Sequence, residues 1–150
     1  MLSIRKMQKR DAEVLFDIAL LSFQPDYMKY GVYPPLIKLE QKKFLPPRIF
    51  GLTFFDDSTI IGGAFVIVLG AKGEVGSIFL DPQYKHKGYG KQAMLMIEKL
   101  YPKVKRWKLD TLAENYGLHR FYESLGYIKT GEMEDKKNNL KGFVYEKTII

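Results

Sequence analysis

The stretch that decides the fold is Glu74-Val-Gly-Ser-Ile-Phe-Leu-Asp-Pro-Gln-Tyr-Lys-His-Lys-Gly-Tyr-Gly-Lys91. Its β-rich residues 75–80 predict a strand, which Asp81-Pro82 ends. Helical periodicity then runs from Gly88 to Tyr101. A strand, a loop and a helix in this order place free backbone N–H groups at the helix N-terminus. Such an end carries partial positive charge and can bind phosphate.

The loop before this helix is basic and rich in glycine. Gly88 and Gly90 let the backbone approach a ligand where a Cβ would intrude. A P-loop needs Ser or Thr after Gly90-Lys91, and a dinucleotide fingerprint needs three glycines in a tight turn, so both motifs are excluded. The loop predicts a ligand with several negative charges, and the alternative is an ordinary connection with solvated lysines. Its basic side chains are Lys85, His86, Lys87 and Lys91.

Composition points to a single globular domain over residues 1–150. This length suits one domain with its own core, and 46% hydrophobic and 27% charged residues are ordinary values. The chain contains no cysteine, which excludes disulfides, thiolate metal sites and a cysteine nucleophile. The N-terminal residues lack an apolar signal core, and no uncharged run reaches the roughly 18 residues of a membrane span. We therefore expect a cytoplasmic protein without a membrane partner.

The net charge of +7 is concentrated in one part of the chain. Residues 82–108 contain one acidic residue, Glu98, and the rest of the chain is balanced. A surplus focused around one loop favours a small polyanionic ligand over nucleic acid, and solubility explains the lysines at 99–108. The basic residues of this stretch are Lys85, Lys87, Lys91, Lys99, Lys103, Lys105, Arg106 and Lys108.

Hydrophobic periodicity and turn signals predict the elements along the chain. Strands are predicted at 2–6, 48–55, 59–69, 75–80, 105–112, 127–133 and 143–149, and helices at 11–22, 36–45, 88–101 and 115–125. Asp11 is predicted to cap the first helix, whose apolar stripe is Val14, Leu15, Ile18 and Leu21. The polar segment 134–142 is predicted to be a turn. The strand at 105–112 should pair parallel to the strand at 75–80 through a right-handed crossover.

The segment from Gln24 to Pro35 is predicted to be an irregular loop rich in tyrosine. Aromatic side chains in such a loop can line a substrate cleft, although packing over the core explains them equally well. The candidate substrate-binding residues are Phe23, Tyr27, Tyr30 and Tyr33.

Two sequence blocks follow one another in a characteristic order. The first is Ile78-Phe79-Leu80-Asp81-Pro82 followed by Lys85-x-x-Gly88-x-Gly90. The second is Asn115 followed by Phe121-Tyr122-Glu123-Ser124-Leu125-Gly126-Tyr127. With the element order, they resemble the GNAT superfamily of acyl-CoA-dependent N-acyltransferases. Lys85 stands where the family usually has Gln or Arg, so the positive charge remains and the planar donor arrangement is lost.

This resemblance implies a mixed α/β (α+β) fold. Its mostly antiparallel, twisted sheet has about seven strands and four flanking helices, and one parallel β-α-β crossover splays the central strands. The implied co-substrate is acetyl-CoA, whose pyrophosphate and 3′-phosphate match the lysine surplus. The family holds the pantetheine arm on the backbone of the strand before the loop, which corresponds to Ile78 and Leu80. The implied cofactor-binding residues are Ile78, Phe79, Leu80, Lys85, His86, Lys87, Gly88, Tyr89, Gly90, Lys91, Asn115 and Tyr122.

Two residues are candidates for proton transfer. The resemblance makes Tyr122 the general acid that protonates the leaving thiolate, and the alternative is a buried core aromatic. Glu74 stands where some members carry a glutamate general base, and strand alternation predicts that it shares a face with Gly76, Ile78 and Leu80. The alternative is a solvated glutamate beside a chain of water molecules.

We therefore predict an N-acetyltransferase that transfers an acetyl group from acetyl-CoA to a primary amine by direct attack in a ternary complex. The acceptor is a small-molecule or peptide amine, and the protein is expected to be a monomer or homodimer. The alternative is a non-catalytic acyl-CoA-binding sensor or scaffold. The two histidines, His86 and His119, lie apart in the sequence and predict no metal site.

Overall fold

The computed structural model describes residues 1–30, 48–137 and 139–150. The predicted helix at 36–45 lies outside these residues. Two 3₁₀ turns, Lys9–Asp11 and Pro82–Tyr84, precede helices. The helices of the described residues are α1 (Ala12–Tyr30), α2 (Tyr89–Leu100) and α3 (Tyr116–Ser124). The strands are β1 (Leu2–Lys6), β2 (Ile49–Asp56), β3 (Thr59–Leu69), β4 (Lys72–Leu80), β5 (Arg106–Leu112), β6 (Ile128–Asp135) and β7 (Leu140–Thr148).

All seven strands of the described residues belong to one sheet, in the order β1-β2-β3-β4-β5-β7-β6. Neighbouring strands are antiparallel except β4 and β5, which are parallel. The parallel pair arises because α2 carries the chain across the sheet between them. The predicted fold class and the predicted parallel pairing of these two strands are confirmed.

Two hydrophobic clusters define the two faces of the sheet. We call them the α2 face and the α1 face. Helices α2 and α3 cover the first, and α1 covers the second. The α2 face includes Val66, Val75, Ala93, Met94, Ile97, Trp107, Leu109 and Tyr122. The α1 face includes Leu15, Ile18, Ala19, Phe65 and Phe79.

Helix α1 continues past Ser22 to Tyr30, the last residue described in this part of the chain, so the loop predicted from Gln24 is wrong over its first seven residues. Pro25 suggested a loop because it removes one backbone donor and disturbs the preceding turn. The helix continues through it, and Phe23, two residues earlier, packs on Phe79 with ring centroids 6.1 Å apart. Tertiary packing has outweighed the local penalty of proline.

The buried stripe of α1 also differs from the prediction. Leu15 and Ile18 are buried as expected, whereas Val14 and Leu21 are about half exposed. The alanines Ala12 and Ala19 take the remaining buried positions. Small side chains let the helix approach the sheet closely.

The hairpin of β6 and β7 is longer than predicted. Strand β6 continues to Asp135 and β7 begins at Leu140, which shortens the predicted turn at 134–142. Across the described part of the chain, no helix is long and apolar enough to cross a membrane.

Asp11 anchors the start of α1 to the sheet rather than capping the helix directly. It lies in the 3₁₀ turn before α1 and is 2% exposed. Its carboxylate accepts hydrogen bonds from Arg5 at 2.7 and 2.9 Å, from the Gln8 N–H at 2.9 Å and from the Thr53 hydroxyl at 3.0 Å. Burial disfavours the charged carboxylate, but these bonds outweigh it and lower the pKa of Asp11 to about 2.

Candidate active site

A wedge opens between β4 and β5. Their parallel pairing is confined to three positions, which end at Glu74 opposite Lys108. Both strands continue well beyond that point, β4 to Leu80 and β5 to Leu112. The carboxyl-terminal halves therefore diverge and leave a cleft between two strand edges. Ligands of open α/β sheets bind at such places.

The β4 edge of the wedge presents backbone donors. The N–H of Asp81 donates to the Ile61 carbonyl of β3 at 2.7 Å. Successive peptide groups of a strand point to alternate edges, so the N–H groups of Leu80 and Ile78 point towards the wedge. These are the two residues predicted to hold a pantetheine arm. The Phe79 side chain instead packs on the α1 face.

A β-bulge interrupts β4 beside the wedge. Phe65 of β3 pairs with Ser77, but the next residue, Val66, pairs with Val75. Gly76 is therefore an extra residue in β4, and the side-chain alternation changes phase there.

This bulge corrects the predicted position of Glu74. Glu74 pairs with Ile67, whose β2 partner Ile49 packs against the α1-face cluster. Ile78 instead packs against the cluster on the α2 face. Glu74 therefore lies on the α1 face, and the prediction that it shares a face with Ile78 and Leu80 is wrong.

The loop between β4 and α2 has the geometry of an anion site. Gly88 has φ +83°, a left-handed conformation that favours glycine, and it precedes the first turn of α2 without a side-chain cap. The first N–H bonded within the helix is that of Gln92, to the Gly88 carbonyl at 3.1 Å. The N–H groups of Tyr89, Gly90 and Lys91 precede it, where a helix leaves donors free. Gly90 lies against Phe121, and a Cβ there would be 3.5 Å from the ring.

The basic residues of this loop make different contacts. Lys85 Nζ lies 3.5 Å from the Ser22 carbonyl of α1. Lys87 Nζ lies 5.4 Å from the centre of the Tyr84 ring. His86 has φ +63°, so the loop turns sharply there as well as at Gly88.

Tyr89, at the start of α2, is influenced by the end of β2. The Asp56 carboxylate there raises the pKa of Tyr89. This influence was not predicted, because Asp56 is more than thirty residues away in sequence.

Asn115 lies on the opposite side of the wedge, just after β5. Its side-chain oxygen accepts a hydrogen bond from the Leu118 N–H at 3.3 Å and so caps α3. The side-chain NH₂ group is not used by this cap. Asn115 can therefore cap its helix and still donate to a ligand.

Tyr122 is buried on the α2 face. Its ring lies among those of Phe121, Tyr127 and Tyr145, with centroids 5.3 to 6.3 Å apart. Burial raises the pKa of Tyr122 to about 12, and the negative charge of Asp110 adds to the rise. The phenol therefore stays protonated throughout the physiological pH range. Tyr122 and Glu74 lie on opposite faces of the sheet.

The candidate substrate residues are only partly brought to this site. Phe23 packs on Phe79 beneath α1, and Tyr27 is 43% exposed on the same helix. Tyr30 ends α1, but its side chain, like all of Tyr33, lies outside the described residues. Ser77, which was not singled out in the sequence, lies on the α1 face next to the bulge. No described group of His, Asp or Glu residues is arranged to hold a metal ion.

Comparisons with known proteins agree with this geometry. The family model described as "Acetyltransferase (GNAT) family" matches residues 12–127. Spermidine N(1)-acetyltransferase of Thermoplasma acidophilum is 30% identical over 117 residues, which cover 68% of this chain and 71% of that protein.

Two solved structures extend the comparison to the fold. PaiA N-acetyltransferase from Thermoplasma acidophilum, solved in complex with coenzyme A, has a TM-score of 0.74 and 26% identity over 99% of both chains. The ribosomal-protein-S18-alanine N-acetyltransferase from Escherichia coli has a TM-score of 0.78 and 17% identity, over 99% of this chain and 94% of that one. The family match and these relatives define an acetyltransferase. The chain belongs to the GNAT family of acetyltransferases.

Proposed function

We propose that this enzyme transfers an acetyl group from acetyl-CoA directly to a primary amine. The observation that carries the proposal is the wedge, which has Glu74 on one face of the sheet and Tyr122 on the other. A thioester lying between the strand edges would present its carbonyl carbon to the α1 face and its sulfur to the α2 face. The attacking amine and the leaving thiolate then lie on opposite faces of the sheet.

The cofactor fits the donors that the protein already presents. The uncapped start of α2 supplies N–H groups for the diphosphate, and Lys85, His86, Lys87 and Lys91 supply charge around it. The wedge-facing N–H groups of Ile78 and Leu80 suit the amide groups of pantetheine. One of them can also stabilise the oxyanion that forms on the thioester carbonyl. Asn115 can donate from the other wall.

The reaction requires one bond to form and one to break. The amine nitrogen attacks the carbonyl carbon, the tetrahedral intermediate collapses, and the carbon–sulfur bond breaks to release the CoA thiolate. Glu74, directly or through water, accepts the proton that the attacking nitrogen loses. No acyl-enzyme is needed, in keeping with a chain that has no cysteine.

The raised pKa of Tyr122 refines its role. An ordinary thiol has a pKa of about 8.5, so a phenol with a pKa of about 12 is the weaker acid by more than three units. Complete proton transfer from Tyr122 to the thiolate would be uphill. Tyr122 therefore acts by donating a hydrogen bond to the sulfur as negative charge develops there, and the proton itself comes from solvent.

For the acceptor we propose a chemical class, a primary amine, rather than one compound. The relative named as a spermidine N(1)-acetyltransferase makes spermidine the first amine to try, followed by short peptides with a free N-terminus. The carboxylate of Glu74 on the α1 face favours a cationic acceptor. We propose a cytoplasmic enzyme acting on a small-molecule or peptide amine.

Ligand-induced stabilisation tests the cofactor. Acetyl-CoA at 100 times its Kd stabilises the folded state by about 2.7 kcal/mol, which raises Tm by about 5–10 °C for a chain of this size. ATP and NAD at the same concentration serve as controls. Equal shifts with all three would contradict a specific acyl-CoA site.

Release of the CoA thiol tests the reaction. Wild-type protein is mixed with acetyl-CoA and a panel of amines, and the product is identified by mass. Direct transfer predicts intersecting initial-rate lines when both substrates are varied. Parallel lines would indicate an acyl-enzyme and contradict the ternary complex. Stabilisation by acetyl-CoA without turnover on any amine would favour a non-catalytic acyl-CoA-binding role.

A further inference from the structure

Ser77 carries a buried hydroxyl without a partner among the described residues. Its Oγ is shielded from solvent and makes no hydrogen bond there, although the residue as a whole is partly exposed. An unpaired buried hydroxyl costs free energy that alanine at the same position would avoid. The hydroxyl therefore points to a function, because alanine would fill this position without the cost of an unpaired polar group.

The position of Ser77 supplies that explanation. It directly follows the Gly76 bulge, in the part of β4 that has already separated from β5. Its cross-strand partner is Phe65, which belongs to the α1-face cluster. The hydroxyl therefore stands on the α1 face at the side of the wedge, where the proposed reaction places the attacking amine.

Glu74 is the nearest polar side chain of β4 on the same face. The two residues are three apart, and the bulge shortens the span, so their Cα atoms are roughly 7–10 Å apart along the strand. A nitrogen atom and one water molecule fit between two groups at this separation. Phe65 and Phe79 give this part of the face an apolar wall.

We infer that Ser77 Oγ accepts a hydrogen bond from the amino group of the acceptor and orients its nitrogen towards the thioester carbonyl. The inference rests on the proposed function, because it gives the position of the acceptor amine in that reaction. Serine has a single χ1 torsion with three staggered positions. A rotation about it would turn Oγ out of its shielded position when the acceptor binds. Glu74 then takes the proton, while Ser77 holds the nitrogen.

Ser77→Ala tests this role, with spermidine as the acceptor if it is a substrate of the wild type and otherwise the best amine of the panel. Loss of one neutral hydrogen bond should lower kcat/KM for the amine about 3- to 10-fold. KM for acetyl-CoA and the thermal shift that acetyl-CoA produces should stay unchanged. Tm should remain the same or rise, because the variant loses an unpaired polar group. A purely structural serine would not give this combination.

Two further variants sharpen the experiment. Ser77→Thr keeps a hydroxyl on a residue that suits a strand, and it should recover most of the lost kcat/KM. Ser58→Ala removes a hydroxyl from the exposed turn between β2 and β3 and should leave both substrates' constants unchanged.

The outcomes separate this inference from the function on which it rests. A wild-type protein that is stabilised by acetyl-CoA but acetylates no amine overturns the proposed function, and Ser77 loses its role with it. An active wild type with unchanged kinetics in Ser77→Ala overturns only the role of Ser77. A fall in Tm with equal losses for both substrates would make Ser77 structural.

Discussion

Tyr122→Phe removes one hydroxyl from the α2 face and tests the leaving-group role. A hydrogen bond to a charged group contributes about 1.5–3 kcal/mol, so its loss in the transition state should lower kcat about 10- to 150-fold. KM for acetyl-CoA should change less than about twofold, because the thioester sulfur of the bound substrate is uncharged. The ring contacts with Tyr127 and Tyr145 survive, so Tm should change little.

The pH dependence distinguishes hydrogen bonding from proton donation. Because burial holds the pKa of Tyr122 at about 12, its hydroxyl is protonated throughout the working range. The ratio of wild-type to variant kcat should therefore be flat between about pH 6 and 10. Tyr116→Phe, an exposed tyrosine on the same helix, is the matched control and should keep full activity. A variant with wild-type kcat, or a ratio that changes with pH near 8 to 9, would refute this reasoning.

Three other substitutions test the fold, the cofactor loop and the base. Asp11→Asn should cost about 2 kcal/mol at pH 7, seen as a fall in Tm of about 4–8 °C, because the folded-state pKa is near 2 rather than 3.8. That difference should be complete above pH 4 and vanish as the pH falls towards 2, and a constant difference would contradict it. Gly88→Ala places a Cβ at φ +83°, which disfavours the loop conformation that presents the N–H groups. We expect a clearly weaker Kd for acetyl-CoA and only a small fall in the Tm of the free protein, both measured by thermal shift at increasing acetyl-CoA concentration. Glu74→Gln should lower kcat at least tenfold at neutral pH with little change in acetyl-CoA binding. Full activity of this variant would show that water, and not Glu74, accepts the proton of the amine.

The elements with strong local signals were predictable from the sequence. Strand β3 matches its predicted bounds, and α2 begins one residue after Gly88, because β-branched runs and glycine punctuation act locally. The parallel pairing of β4 and β5 was also predictable, since a strand–helix–strand crossover allows few other arrangements. These features fix the position of the loop between β4 and α2.

Two features depend on contacts between distant residues and escaped the sequence reading. The continuation of α1 past Pro25 coincides with packing of Phe23 on Phe79, more than fifty residues away. The face of Glu74 depends on the register between β3 and β4, which skips Gly76. A single unpaired residue reverses the alternation of side chains between the two faces, and the spacing of polar residues in the sequence gives no sign of it.

The same bulge determines which face of the sheet carries Glu74. Without it, regular alternation would place Glu74 on the α2 face with Ile78, the face that already holds Tyr122. The proposed base and the proposed hydrogen-bond donor to the leaving thiolate would then lie on the same side of the thioester. Because Gly76 is left out of the pairing with β3, Glu74 lies on the α1 face with Ser77, while the N–H groups of Ile78 and Leu80 still point towards the wedge. In the proposed reaction the amine therefore adds to the thioester carbonyl carbon from the α1 face, while the phenol of Tyr122 donates a hydrogen bond to the sulfur on the other face.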